Sequence, residues 1–216
     1  MDTPRVASDV PIAERLVAPA LLVVDMQNDF VRAGAPLEVP DARATIGTIQ
    51  QLLTAFRGGG LPVSYTRFLS LQDDNLAWRW TSECHPATRA CWPDHSRTYD
   101  DIAGSRPCAD VIDELAPAPG ESVVDKLGYG SFHGTDLDAR LRTLGVRSLV
   151  ITGTVTQICV EETAREAYHH GYATTIVADA VSSFAPDLHA ATLRNFAMKF
   201  GWVSDAGQVI AALNPG

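Results

Sequence analysis

The sequence predicts an α/β fold: three layers, α/β/α, around a doubly wound, six-stranded, mainly parallel sheet. Three observations carry this expectation. Runs such as Ala20-Leu-Leu-Val-Val and Ser148-Leu-Val-Ile are apolar at consecutive positions, as strands buried on both faces are. These runs alternate with segments of helical period, the order that βαβ crossovers produce. The 216 residues, 46% hydrophobic and 20% charged, have an ordinary globular composition and can bury a core without disulfide staples.

The elements follow in order. Residues 20–25 (ALLVVD) form the first strand. Residues 41–56 carry apolar side chains at helical spacing, and Gly58-Gly59-Gly60 stops that helix, because glycine suits the conformation a helix C-terminus takes. Residues 61–67 (LPVSYTR) are the second strand, with Pro62 tolerable near its start. Residues 68–107 are irregular and rich in Asp, Trp, Pro and Cys. Structureless stretches of that length belong to functional surfaces when they occur in compact domains. A helical turn is expected at 111–115 and a third strand at 121–126 (ESVVDK). Residues 135–144 form a helix capped by Thr135, apolar at Leu137, Leu141 and Leu144, and ended by Gly145.

Residues 147–153 (RSLVITG) are the fourth strand. They lead through Thr154-Val-Thr-Gln-Ile-Cys159 into a helical pattern over 160–167. Residues 172–179 form the fifth strand, 187–199 a helix and 201–204 a short sixth strand; Asp205 caps a last helix running to Leu213. There is no internal repeat, low-complexity tract or second hydrophobic core. Residues 1–216 are therefore expected as one domain, with its core at 18–214 and the 68–107 loop near the site.

The net charge of −9 argues against a nucleic-acid partner, since phosphate binding requires a basic surface. No apolar run approaches the roughly 18 residues that cross a bilayer, and the first residues lack the basic and then apolar regions of a signal peptide. A cytoplasmic protein with no membrane partner is expected. Its four cysteines are then free thiols rather than a disulfide framework, and its partner is a small molecule.

In a parallel α/β sheet, ligands bind beyond the carboxyl ends of the strands. Three reactive residues fall at such ends: Asp25 closes the first strand, Lys126 closes the third, and Cys159 follows the fourth. A thiol in the first turn of a helix faces unpaired N–H groups and the positive end of the dipole, and both favour thiolate. Lys126 would add positive charge, and Asp25 would shuttle the proton. Each residue also has a plain structural reading. Cys159 could be a small packed hydrophobe, Asp25 a turn cap, and Lys126 a snorkelling side chain.

Three blocks then resemble the isochorismatase-like cysteine hydrolase family. They are Val24-Asp-Met-Gln-Asn-Asp-Phe30, Lys126-Leu-Gly-Tyr-Gly-Ser-Phe132, and Gly153-Thr-Val-Thr-Gln-Ile-Cys159-Val-Glu-Glu-Thr-Ala164. The resemblance implies an Asp–Lys–Cys triad at Asp25, Lys126 and Cys159. It also implies a cis peptide between Thr154 and Val155, and an oxyanion hole made by the N–H groups of Val155 and Cys159. The expected reaction is cysteine-dependent hydrolysis of a small amide or ureide C–N bond through a thioester, with no cofactor, by a homo-oligomer (dimer or tetramer).

Phe30, Tyr129 and Thr154 are the expected substrate contacts. Tyr129, three residues after Lys126, and Phe200-Gly-Trp-Val-Ser-Asp205 resemble the ureidoacrylate-type amidohydrolases, which favours a ureidoacrylate or N-carbamoyl substrate. Nicotinamidase- or biuret-type amide cleavage is the alternative. Metal-assisted nicotinamidases of the family carry Asp-x-His after the second strand, whereas residues 66–75 hold no histidine. Cys84, His85, Cys91, His95 and Cys108 match no common zinc spacing, so no metal is expected. Trp78, Trp80 and Trp92 with Arg67, Arg79 and Arg89 either grip the substrate or pack the loop. His133, His169 and His170 are expected to be structural. A rival from another class is a redox-sensing thiol protein, in which Cys159 pairs with a loop cysteine.

Overall fold

The computed structural model describes residues 10–70 and 77–213. The N-terminal residues, residues 71–76 of the long segment and the side chain of Trp78 lie outside them. In chain order the elements are α1 (Ile12–Arg15), β1 (Pro19–Val24), α2 (Asn28–Val31), α3 (Ala42–Gly58), β2 (Val63–Phe68), α4 (Ala77–Trp80), β3 (Ser96–Thr98) and β4 (Ser105–Pro107). Then come β5 (Ser122–Lys126), α5 (Leu137–Thr143), β6 (Ser148–Thr154), α6 (Glu161–His169), β7 (Ala173–Ser182), α7 (Pro186–Lys199), β8 (Trp202–Ser204) and α8 (Ala206–Leu213). No helix among the described residues is long and apolar enough to cross a membrane.

Six strands form one sheet in the order β5-β2-β1-β6-β7-β8, and every pairing is parallel. All six residues of β1 are buried. Successive side chains of a strand point to opposite faces, so Leu21 and Val23 join one hydrophobic layer with Ile49, Leu52 and Phe56 of α3 and Val209 of α8. Ala20, Leu22 and Val24 join the other with Leu137 and Leu141 of α5, Ala164 and Ala167 of α6, and Phe196 of α7. Two buried faces explain why the central strands show no polar alternation.

Helix ends follow the sequence signals closely. The Thr135 hydroxyl accepts the Leu137 amide at 3.3 Å, and Asp205 Oδ1 accepts the Gln208 amide at 2.8 Å.

Two expectations are corrected. Strand β7 runs on to Ser182 rather than stopping at Asp179, because the exposed Asp179 stays in the strand and takes the Ala206 amide at 2.9 Å. The 68–107 segment is also not structureless. It holds α4, two 3-10 turns, at Ser82–Cys84 and Pro86–Thr88, and the antiparallel ribbon β3–β4. Its anchor is Asp29 on α2, fully buried, which accepts the Tyr99 hydroxyl at 2.7 Å and the Cys91 amide at 2.8 Å and pairs with Arg97 at 3.0 Å. A buried carboxylate is tolerated only when it is paired in this way.

Candidate active site

The order β5-β2-β1-β6 brings the three reactive strand ends together. Asp25 leaves β1 and Cys159 follows β6, its immediate neighbour, while Lys126 ends β5 two strands away on the other side. Strands two apart are separated by roughly 9–10 Å, which a lysine stem can cross and a shorter side chain cannot. Lys126 crosses over the ring of Phe68 on β2, its Nζ 5.9 Å from the ring centre, and reaches Asp25 Oδ2 at 2.8 Å. Its remaining hydrogens face the carbonyls of Tyr129 at 2.6 Å and Gly128 at 3.3 Å.

Gly153 permits the close approach of β1 and β6. It pairs with Val24 and takes φ 110°, and any Cβ there would collide with the Val24 carbonyl oxygen. Asp25 itself has φ 51°, uncommon for a side-chain-bearing residue, though Asp is among those that tolerate it. Its amide donates to the Thr66 carbonyl at 3.2 Å, and its Oδ1 accepts the Thr66 hydroxyl at 2.6 Å. Oδ2 touches the lysine but has no hydrogen bond of good geometry, which leaves it open to a further proton.

The following residues clamp the strand ends. The Gln27 side chain donates to the carbonyls of Phe68 and Ala109 at 3.0 and 2.9 Å and accepts the Phe68 amide at 2.7 Å. Asn28 donates to the Pro107 carbonyl at 2.9 Å.

Cys159 lies in a π-helical turn, Thr156–Val160, that runs directly into α6. The sequence placed it in an ordinary first helical turn. The Thr154–Val155 peptide is cis, as the resemblance implied. Asp25, Lys126 and Cys159 are 0%, 1% and 3% exposed, so their charges act in a dry site where electrostatic effects are large.

The helix-terminus argument for a low thiol pKa does not hold in the resting protein. Burial pushes the Cys159 thiol up to about 12, the Lys126 charge pulls it down, and the Asp25 carboxylate pushes it up again. For Lys126, burial opposes the charge, but Asp25 and the Cys159 sulfur outweigh it and hold the ammonium above its usual pKa. At neutral pH the trio therefore holds an ammonium beside a neutral thiol.

The sulfur opens onto a cavity of about 290 Å³ walled by Phe30, Leu37, Phe68, Tyr129, Val155, Ile158 and Phe184, with Glu38, Thr81, Glu83 and Cys84 also at its edge. The rings of Phe30, Phe68 and Tyr129 follow one another at 6.3 and 6.0 Å. Phe30 and Tyr129, two of the expected substrate contacts, line this cavity. Thr154, expected there too, is corrected: it is buried, does not line the cavity, and turns its hydroxyl to the Ser182 carbonyl at 3.5 Å.

Arg67 and Arg89 do not form the grip considered above. Arg67 pairs with Asp110 and Asp125 at 2.6 and 2.7 Å. Arg89 lies over Trp92, and Trp80 points to solvent at 87% exposure. His170 stacks on Phe132, and the His133 amide meets Glu166 at 3.2 Å.

Glu166 is the residue that sequence reasoning missed. From α6, the helix that Cys159 introduces, its carboxylate accepts the amides of Phe132 at 2.8 Å and His133 at 3.2 Å. It fills the space where Gly130 lacks a side chain, and so ties the Lys126 loop to the nucleophile's own helix. An acid seven residues after Cys159 was the only signal available.

All four cysteines are free and buried. Burial pushes Cys84 up to about 11 and Cys91 and Cys108 above the usual thiol value. Neutral buried thiols are poor targets for oxidants, which weakens the redox-sensor rival. Among the described residues, no group of three or more His, Cys, Asp or Glu is placed to hold a metal ion.

Comparison with known proteins adds an independent line. The model of the isochorismatase domain matches residues 19–208. Ureidoacrylate amidohydrolase RutB of Methylorubrum extorquens is 34% identical over 217 residues, covering 94% of this chain and 86% of that protein. Among solved structures, a cysteine hydrolase from Pseudomonas syringae pv. phaseolicola superposes with a TM-score of 0.80 at 29% identity, over 99% of this chain and 98% of that one. N-carbamoylsarcosine amidase from Thermoplasma acidophilum superposes with a TM-score of 0.71 at 30% identity, over 87% and 96% of the two chains.

Proposed function

This chain belongs to the isochorismatase family and is an amidohydrolase of non-peptide C–N bonds, and on that premise we propose that it hydrolyses a small ureido or N-carbamoyl acid through Cys159. The observation that carries this reading is the contact of Lys126 Nζ with Asp25 Oδ2 at 2.8 Å, beside a sulfur that lines a cavity of about 290 Å³. The relatives named for ureidoacrylate and N-carbamoylsarcosine support the substrate class. The ring succession Phe30–Phe68–Tyr129 offers a planar ureide a flat wall.

The neutral thiol sets the first step. Asp25 Oδ2, the oxygen without a good hydrogen bond, takes the thiol proton as the sulfur attacks the carbonyl carbon, and Lys126 holds the sulfur's growing negative charge. The new oxyanion is received by the amides of Val155 and Cys159, and losing one such donor typically costs ~3 kcal/mol in the transition state. Asp25 passes its proton to the departing nitrogen as the C–N bond breaks, leaving a thiocarbamate on the sulfur (a thioester where the substrate is a simple amide). Asp25 then takes a proton from water, whose oxygen attacks that carbonyl. The sulfur leaves and regains this proton from Asp25, and the carbamic or carboxylic acid is released. One carboxylate thus serves as base, acid and base again.

The working form in this reading is a cytoplasmic homo-oligomer, a second copy covering the exposed Phe184 at the cavity. The test is release of ammonia or acid from ureidoacrylate, N-carbamoylsarcosine, biuret and nicotinamide. Cys159→Ser should abolish turnover of whichever is hydrolysed, with the melting temperature retained. Turnover by Cys159→Ser at the unsubstituted rate would sink the mechanism.

A further inference from the structure

The turn that carries Val155 is braced from outside the site. Thr154 and Thr156 flank Val155, and both hydroxyls converge on one acceptor, the Ser182 carbonyl at the end of β7, at 3.5 and 3.0 Å. Thr156 is fully buried. Its hydroxyl oxygen also lies 2.9 Å from Nδ1 of His189 on α7.

A threonine hydroxyl has one hydrogen and two lone pairs. The Ser182 carbonyl can only accept, so the arrangement that satisfies both contacts puts the hydroxyl hydrogen on it and a proton on His189 Nδ1, the tautomer the relay requires. The result is a directed relay, His189 Nδ1–H to Thr156 Oγ1 and Thr156 O–H to Ser182 O. Three residues further along the same face of α7, the Thr192 hydroxyl donates to Glu161 at 2.7 Å, the first residue of α6. Helix α7 therefore grips the nucleophile segment at both ends, before Cys159 through Thr156 and after it through Glu161.

We propose that His189 is a positioning residue for the oxyanion-binding turn, acting through Thr156 without touching substrate. It does not line the substrate cavity; it borders a separate cleft beside Asp41, Thr45 and Ser183. Transition-state hydrogen bonds depend on donors held in place before the charge develops. Loss of the brace acts on the chemical step and leaves ground-state binding in the aromatic cavity as it was. The inference rests on the reading of Val155 and Cys159 as oxyanion donors.

Asn places an N–H donor on Cγ, where His carries Nδ1, whereas Gln moves its donor one bond further out. His189→Ala and His189→Gln should lower kcat by about tenfold to hundredfold, below the 10²–10³ that follows outright loss of an oxyanion donor, with KM unchanged. His189→Asn should restore most of kcat. Thr156→Val should match His189→Ala, and the double variant should be no slower than the slower single one, the non-additivity expected of two parts of one device. Thr156→Ser should remain close to the unsubstituted enzyme.

The substrate is whichever of ureidoacrylate, N-carbamoylsarcosine, biuret and nicotinamide the unsubstituted enzyme hydrolyses fastest, and melting temperatures check the fold. Equal kcat in His189→Ala, a rise in KM alone, failure of Asn to rescue, or additive losses in the double variant would each overturn the positioning role. No hydrolysis of any of the four, or an active Cys159→Ser protein, would overturn the functional reading on which it stands.

Discussion

Replacing Lys126 with Met tests the centre of the mechanism, because Met keeps the stem as far as Cε and removes the ammonium, with its charge and its hydrogen bonds to the Tyr129 and Gly128 carbonyls. In the folded protein the ammonium and the Asp25 carboxylate are 2.8 Å apart with neither side chain exposed. Taking one partner from a buried ion pair strands the other, at a cost of about 3–5 kcal/mol. For a chain of this size 1 kcal/mol moves Tm by roughly 2–4 °C, so a fall of about 6–20 °C is expected. The Thr66 hydroxyl at 2.6 Å would remain beside the carboxylate, without a compensating charge. Asp25→Asn combined with Lys126→Met removes both charges and should recover much of that loss, since the penalty comes from the unpaired charge. Neither protein should hydrolyse amides or ureides. Scanning calorimetry gives Tm, and ammonia release gives activity. A Lys126→Met protein as stable as the parent, or a double variant no more stable than Lys126→Met, would refute the buried-pair account.

Cys159→Ala should also flatten the loss of stability at alkaline pH. The thiol is raised from 9 to about 12 in the folded state, so between those values the unfolded chain binds fewer protons and stability falls by up to ~1.4 kcal/mol per pH unit for this one group. Urea titrations at pH 8 to 11 would show it, and equal slopes for the two proteins would exclude it. Gly153→Ala should not give a folded, active protein, because its Cβ meets the Val24 carbonyl and its φ of 110° is closed to alanine. Soluble, active Gly153→Ala would show that the two strand ends have room to spare. Glu166→Ala frees the amides of Phe132 and His133 and should lower kcat severalfold by loosening the Tyr129 carbonyl that holds Lys126; an unchanged kcat would mean that Lys126 needs no such support.

What the sequence revealed and what it hid divide along physical lines. The strands of the sheet were legible because burial on both faces imposes continuous apolar runs; topology put Asp25, Lys126 and Cys159 at strand ends, and the resemblance singled them out as a triad. The oddly shaped parts were not legible. A π-turn differs from an α-turn by one hydrogen-bond register, and nothing in Thr156-Gln-Ile-Cys-Val160 signals that choice. The fold of residues 77–107 depends on Asp29 and Asn28 reaching across the chain, and long-range polar contacts leave no local period. Thr154 looked like a substrate contact because of its neighbours, but the backbone turns its hydroxyl toward Ser182.

The raised thiol pKa changes how the site must work. A cysteine that rests as thiolate is ready for any electrophile that diffuses in, and a helix terminus acting alone would produce that state. Here the helix begins through a π-turn, the sulfur is almost fully buried, and a carboxylate beside it resists a second negative charge. In the proposed mechanism the thiol therefore keeps its proton until a substrate carbonyl is present to take up negative charge at the Val155 and Cys159 amides. Lys126 makes the transfer possible without completing it, since its one positive charge is shared between Asp25 and the sulfur. The same logic requires Asp25 to have an oxygen that can still accept a proton, and Oδ2, held by Lys126 at 2.8 Å, keeps a second lone pair for it. If alkylation of Cys159 by iodoacetamide proved as fast at pH 7.5 as that of a free thiol, the sulfur would already be ionised at rest, and Asp25 would not be the group that deprotonates it.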